Sequence, residues 1–104
     1  MTAHTVIEDL KQAHAILVFS KPSCPQCDVI KLELEKCNEP FLYLDVTTMD
    51  DDYNVDAIDV MEELKSMTGS KSFPFCFYEG NYIPIQELKK KLIKINFTYS
   101  IEDF

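Results

Sequence analysis

The stretch Ala15-Ile16-Leu17-Val18-Phe19-Ser20-Lys21-Pro22-Ser23-Cys24-Pro25-Gln26-Cys27 decides the fold, because an apolar run gives way there to a short polar loop and a cysteine pair. Ala15 to Ser20 is apolar enough to be a strand buried on both faces. Lys21 to Pro25 is then a loop. Beyond it Cys27, Ile30, Leu34 and Cys37 recur at spacings of three and four, the mark of one helix face, while Lys31, Glu33, Glu35 and Lys36 fall elsewhere. Asn38 to Pro40 ends that helix, and Phe41 to Val46 is a second apolar strand. Strand, helix and strand form one crossover unit, so the two strands are expected to lie parallel.

Outward from this unit the elements continue to alternate. Thr5 to His14 reads as a helix with Val6, Leu10 and Ala13 on one face. Asp45 to Glu63 holds eight carboxylates and no basic residue. The spacing of Ile58, Met61, Leu64 and Met67 makes this a solvated loop followed by the outer face of a helix, which Gly69 ends. Phe75 to Glu79 and Asn81 to Ile85 flank Gly80 as a hairpin. Ile85, Leu88, Leu92 and Ile95 mark a last helix. Its Lys89, Lys90, Lys91 and Lys94 are expected near the helix C-terminus, where cations oppose the dipole. Residues 1–95 thus form one α/β domain, and residues 96–104 read as a tail.

The whole chain has 104 residues, the size of one domain that buries roughly 60 to 70% of the surface its unfolded form exposes. The longest apolar run, Ala15 to Phe19, is far short of the ~20 residues a membrane span needs. No secretory signal is visible at Met1 to His4, so the chain reads as intracellular and cytoplasmic. Its formal charge is -8, and every basic residue apart from the two histidines is a lysine. That balance argues against nucleic acid as the partner, since phosphate contacts need clustered positive charge.

The chemistry gathers where the first strand meets its helix. A cysteine at a helix N-terminus faces unpaired backbone N–H groups and the positive end of the dipole, both of which favour thiolate. Cys24 is therefore the candidate nucleophile, with a thiol expected to titrate below that of a free cysteine. Cys27 lies one turn further on the apolar face, within reach of Cys24 and shielded from solvent, which suits a resolving thiol. Pro25 fits the first turn because it has no N–H to leave unpaired. A zinc or iron–sulfur knuckle would need a second such pair or two suitably spaced histidines, and His4 and His14 read instead as surface or helix-end residues. Cys37 and Cys76 read as core.

With these residues in view, the chain resembles the glutaredoxin family of the thioredoxin superfamily, in its dithiol Cys-Pro-x-Cys form. Glutaredoxins carry a Lys three residues before the first Cys, a Pro after it, and a downstream Thr-Val-Pro segment with a cis-proline. Here those positions hold Lys21, Pro25 and Ser72-Phe73-Pro74, and the order of elements agrees from about Val6 to Ile95. The resemblance implies a thioredoxin-like fold, a central four-stranded mixed sheet flanked by helices. It also implies a thiol–disulfide oxidoreductase with glutathione as co-substrate, acting on disulfide-containing proteins or glutathione mixed disulfides as a monomer.

The same resemblance implies a glutathione site. Lys21, helped by Lys71, would hold the glycine carboxylate. The backbone of Phe73 before cis-Pro74 would pair with the cysteinyl peptide, and Gln26 would form one wall of the thiol pocket, where an aromatic residue is common in the family. The family's Gly-Gly pair before the last helix is replaced by Tyr82-Ile83-Pro84-Ile85-Gln86-Glu87, which leaves the N–H groups of Ile85 and Gln86 for the γ-glutamyl end. Two alternatives follow from these departures. One is a disulfide carrier for a specific protein partner that does not use glutathione. The other is a non-catalytic carrier of an iron–sulfur cluster, against which Pro25 and the second thiol count.

Overall fold

A computed structural model of the chain describes the backbone of residues 2–102 and the side chains of residues 2–94. Strand β1 (Ile16–Ser20) lies at the centre, and alternation along it sets the two layers of the molecule. Leu17 and Phe19 project to one face, where they pack with Phe75 and Phe77 against Val6, Ile7 and Leu10 of α1 (Ala3–Ala13) and Val60 and Leu64 of α4 (Ala57–Thr68). Ile16 and Val18 project to the other, with Cys76 and Ile83, against Ile30 and Leu34 of α2 (Pro25–Lys36) and Leu88 and Leu92 of α5 (Ile85–Glu102). Because both faces are covered, every residue of β1 is buried.

The sheet runs β2-β1-β3-β4, where β2 is Leu42–Asp45, β3 is Phe75–Tyr78 and β4 is Asn81–Ile83. Strand β2 is parallel to β1, pairing Leu17 with Leu42 and Ser20 with Asp45, as the crossover through α2 requires. Strand β3 is antiparallel to β1 and β4 to β3, so the sheet is mixed. The β3–β4 turn places Glu79 and Gly80 at φ 50° and 82°. Two successive residues of positive φ match the twist of a tight hairpin, and glycine supplies one at little cost.

Four expectations are corrected. Helix α4 does not bury Ile58, which is 64% exposed; Val60 is buried in its place, while Leu64 is buried as expected and Met61 and Met67 are half-buried against the same cluster. Val60 lies at helical spacing from Leu64 and Met67, and the packing of α4 against α1 turns that edge of the stripe inward in place of Ile58. The acidic stretch is not simply a solvated loop. A 3-10 turn at Val46–Thr48 and a short helix α3 (Met49–Tyr53) bury Val46, Met49 and Val55, while Asp50, Asp51 and Asp52 stay in water. The lysines of α5 do not lie at its C-terminus, since the helix continues to Glu102 and its last turn holds no basic residue. No Pro or Gly interrupts residues 96–102, so the expected tail continues that helix, while residues 103 and 104 and the side chain of Ile95 lie outside the described residues. Among the described residues, no helix is long and apolar enough to cross a membrane.

Candidate active site

The carboxyl end of β1 delivers the chain into the Lys21–Ser23 loop, and the loop ends on Cys24, the N-cap of α2. Ser23 makes the turn in the left-handed region at φ 58°, a conformation that costs a residue with a Cβ and recurs at functional sites. Cys24 is extended, at φ -115° and ψ 101°, and its Sγ accepts the backbone N–H of Cys27 at 3.2 Å. Its carbonyl accepts the N–H of Asp28, closing the first turn. An N-cap sulfur thus takes the place usually filled by a Ser or Asp oxygen. The same N–H is available to a thiolate, and with the helix dipole it favours the charged form.

The two Cα atoms lie 5.2 Å apart, and the structure holds Cys24 and Cys27 as a disulfide. Cys24 keeps 7% of its surface exposed and Cys27 1%, so a reagent approaching from solvent meets Cys24 first. Pro25 occupies the first position of the helix, as expected. The Phe73–Pro74 peptide bond is cis, also as expected, with Pro74 buried and Phe73 half-buried.

The other expected site residues are placed less uniformly. Lys21 is exposed, and its Nζ lies 5.5 Å from the centroid of the Phe73 ring. Lys71 is exposed on the loop before Phe73. Gln26 is exposed on the first turn of α2; Ile85 is half-buried and Gln86 exposed at the start of α5. Among the described residues, no hydrogen bond, ion pair or ring contact ties Gln26, Lys71, Ile85 or Gln86 to the cysteine pair. Two features were not foreseen. Ser20, buried at the end of β1, donates its Oγ–H to the Leu44 carbonyl at 2.8 Å and so ties the strand that carries the loop to β2. The other is the approach of Lys21 to Phe73, which residues separated by the whole crossover and α4 give no local signal to predict.

The remaining thiols are core residues, as expected. Burial pushes Cys76 up to about 12 from an ordinary 9.0. Burial, and then the Glu33 and Glu39 carboxylates, raise Cys37, whose Sγ–H donates to the Leu92 carbonyl at 3.1 Å. Both thiols hold their protons more tightly folded than unfolded, so their contribution to stability is present below the ordinary thiol range and is lost as pH rises through the raised folded values, which for Cys76 is about 12. In the reduced protein a short pulse of iodoacetamide at neutral pH is therefore expected to label Cys24 and to leave Cys37 and Cys76 unmodified until the chain is denatured. Peptide mapping reads the result; labelling of Cys76 ahead of Cys24 would contradict the arrangement.

Known proteins share this architecture and this sequence pattern. A sequence model described as Glutaredoxin matches residues 16–83, from the start of β1 to the end of β4. A glutaredoxin of Ricinus communis is 27% identical over 81 residues, covering 78% of this chain and 74% of the relative. One of Vernicia fordii is 28% identical over 76 residues, covering 73% and 68%. Among solved structures, the holo form of glutaredoxin C1 from Populus tremula x tremuloides superposes with a TM-score of 0.73 at 20% identity, covering 97% of this chain and 96% of its own. A buckwheat glutaredoxin–glutathione complex gives 0.71 at 20%, covering 92% and 88%. The solved structures thus establish a thioredoxin-like fold. With the family pattern spanning all four strands and a cysteine pair already joined at the head of α2, the chain belongs to the glutaredoxin family and is a thiol–disulfide oxidoreductase.

Proposed function

We propose that this oxidoreductase uses glutathione as co-substrate and acts, as a cytoplasmic monomer, on glutathione mixed disulfides and protein disulfides through Cys24 as nucleophile and Cys27 as resolving thiol. The observation that carries the reading is the N-cap position of Cys24, its sulfur on the Cys27 N–H, in a loop that also presents an exposed ammonium at Lys21. The Cys24 thiolate attacks the glutathione sulfur of a mixed disulfide; the S–S bond breaks and the electron pair leaves on the substrate thiolate, which takes a proton from water. A glutathione thiolate then attacks the Cys24 adduct, releasing glutathione disulfide and restoring the Cys24 thiolate. In the dithiol route Cys27, losing its proton, displaces the bound group and forms the Cys24–Cys27 disulfide. Two glutathione molecules then reduce that disulfide.

Recognition is expected to be uneven along the ligand. Among the described residues Lys21 makes no ion pair and, with Lys71, it supplies positive charge in a protein of net charge -8. At the other end Pro84, Ile85 and Gln86 replace a glycine pair, and their side chains limit how closely a ligand backbone approaches. Lys21→Ala is accordingly expected to impair glutathione-dependent turnover more than Gln86→Ala does. Added salt is expected to slow it, since charge pairing on an exposed surface is screened. Initial rates on a small glutathione mixed disulfide, with the two variants and over a salt series, provide the test. If neither Lys21→Ala nor salt changes the rate while a dithiol reductant still drives turnover, the protein serves a dedicated protein partner instead, the reading that the side chains at 84–86 favour.

A further inference from the structure

We propose that the ring of Phe73 is a positioning device for Lys21, holding its ammonium on the loop that delivers Cys24 as a ready receptor for a ligand carboxylate; this rests on the glutathione reading above. A lysine on an exposed loop has many rotamers, and binding through it loses affinity to the ordering of that side chain. Here the side chain already leans on a fixed surface. Its Nζ lies 5.5 Å from the Phe73 centroid, inside the roughly 6 Å over which an ammonium is drawn to the negative face of a ring.

The ring in turn is set by the core. Phe73 meets Phe75 edge-on, with centroids 4.9 Å apart and planes at 82°, and Phe75 is fully buried in β3. Phe73 itself is half-buried against the cluster shared with α1 and α4. An aliphatic residue at this position could pack on Phe75 but would offer no ring face to a cation. Among the described residues three other lysines lie over aromatic rings, Lys11 on Phe77, Lys31 on Tyr43 and Lys91 on Tyr78, and all three stand on helices. Lys21 alone of the four stands on the loop that delivers Cys24. A cation held by a ring keeps its outer face open, so a carboxylate can bind without first displacing a protein carboxylate.

The test combines kinetics with a ring-current measurement. Phe73→Leu removes the ring and keeps an apolar side chain, whereas Phe73→Tyr keeps the ring. With a small glutathione mixed disulfide as the varied substrate, Phe73→Leu is expected to raise KM about 2- to 5-fold, more than it lowers kcat, and Phe73→Tyr to restore KM. In a Lys21→Ala background Phe73→Leu should add nothing further to KM. In the wild-type protein the ε-methylene protons of Lys21 should be shifted upfield by the ring, with or without glutathione, and this measurement stands even if Phe73→Leu fails to fold. A full Phe73→Leu effect in the Lys21→Ala background, no rescue by Tyr, or an unshifted Lys21 signal would overturn the positioning role. If Lys21→Ala leaves KM unchanged, the glutathione reading itself fails; if Lys21→Ala raises KM and Phe73→Leu does not, only the role of Phe73 fails.

Discussion

Replacing Cys24 by Ser is expected to reduce turnover of every disulfide substrate to the uncatalysed background, a loss of roughly 10³-fold or more, because the displacement runs through a thiolate and a serine hydroxyl is not ionised at neutral pH. Cys27→Ser should behave differently. The backbone N–H of Cys27 that meets the Cys24 sulfur survives the substitution, and so does the helix terminus, so the nucleophile keeps its environment. Turnover of a small glutathione mixed disulfide should therefore persist in Cys27→Ser, while reduction of protein disulfides that need the second thiol should fall. The check is a glutathione-coupled assay on wild type and both variants, with mass spectrometry for the Cys24 adduct that should accumulate when Cys27 is absent. Comparable loss in both variants with the mixed disulfide would show that the dithiol route is obligatory. Activity retained in Cys24→Ser and lost in Cys27→Ser would reverse the two roles.

Phe19→Ala is expected to be the most damaging change outside the cysteines, costing about 3–5 kcal/mol of stability out of the ~5–15 typical of a domain. Phe19 is fully buried near the end of the central strand and meets Phe77 edge-on at 6.0 Å. Alanine there loses the transfer energy of the ring and opens a cavity that a packed sheet cannot close. Phe19 also precedes Ser20, which anchors the loop to β2, so glutathione-dependent activity should fall at temperatures where the chain remains folded. Urea unfolding monitored by circular dichroism measures the first effect and activity at low temperature the second. A loss of less than about 1 kcal/mol would mean that the two faces of the sheet repack around the missing ring.

Much of this molecule was legible because its signals are local. The run Ile16 to Ser20 is uniformly apolar, the stripe Cys27, Ile30, Leu34 and Cys37 follows the helical period, and Gly80 sits where a tight hairpin turns. Each depends on a handful of neighbouring residues, and tertiary packing does not override it. The cysteine pair was legible for the same reason, since a helix that starts at Cys24 brings Cys27 round one turn later. The buried face of α4 was less legible at its start, because Ile58 and Val60 both stand at helical spacing from residues of the stripe Met61, Leu64 and Met67.

By itself, then, the sequence determined the order of the strands and of the helices other than α3, the position of the thiol pair at a helix start and the location of the cis proline expected by family resemblance. Those properties follow from side-chain periodicity, turn chemistry and motif. Tertiary structure alone decided that α4 buries Val60 and not Ile58, and that Lys21 comes to rest over Phe73. The physical reason is distance along the chain. Lys21 follows β1, and Phe73 precedes β3, the strand that pairs antiparallel with it, so they meet only when Phe19 and Phe75 come into register as partners across the sheet.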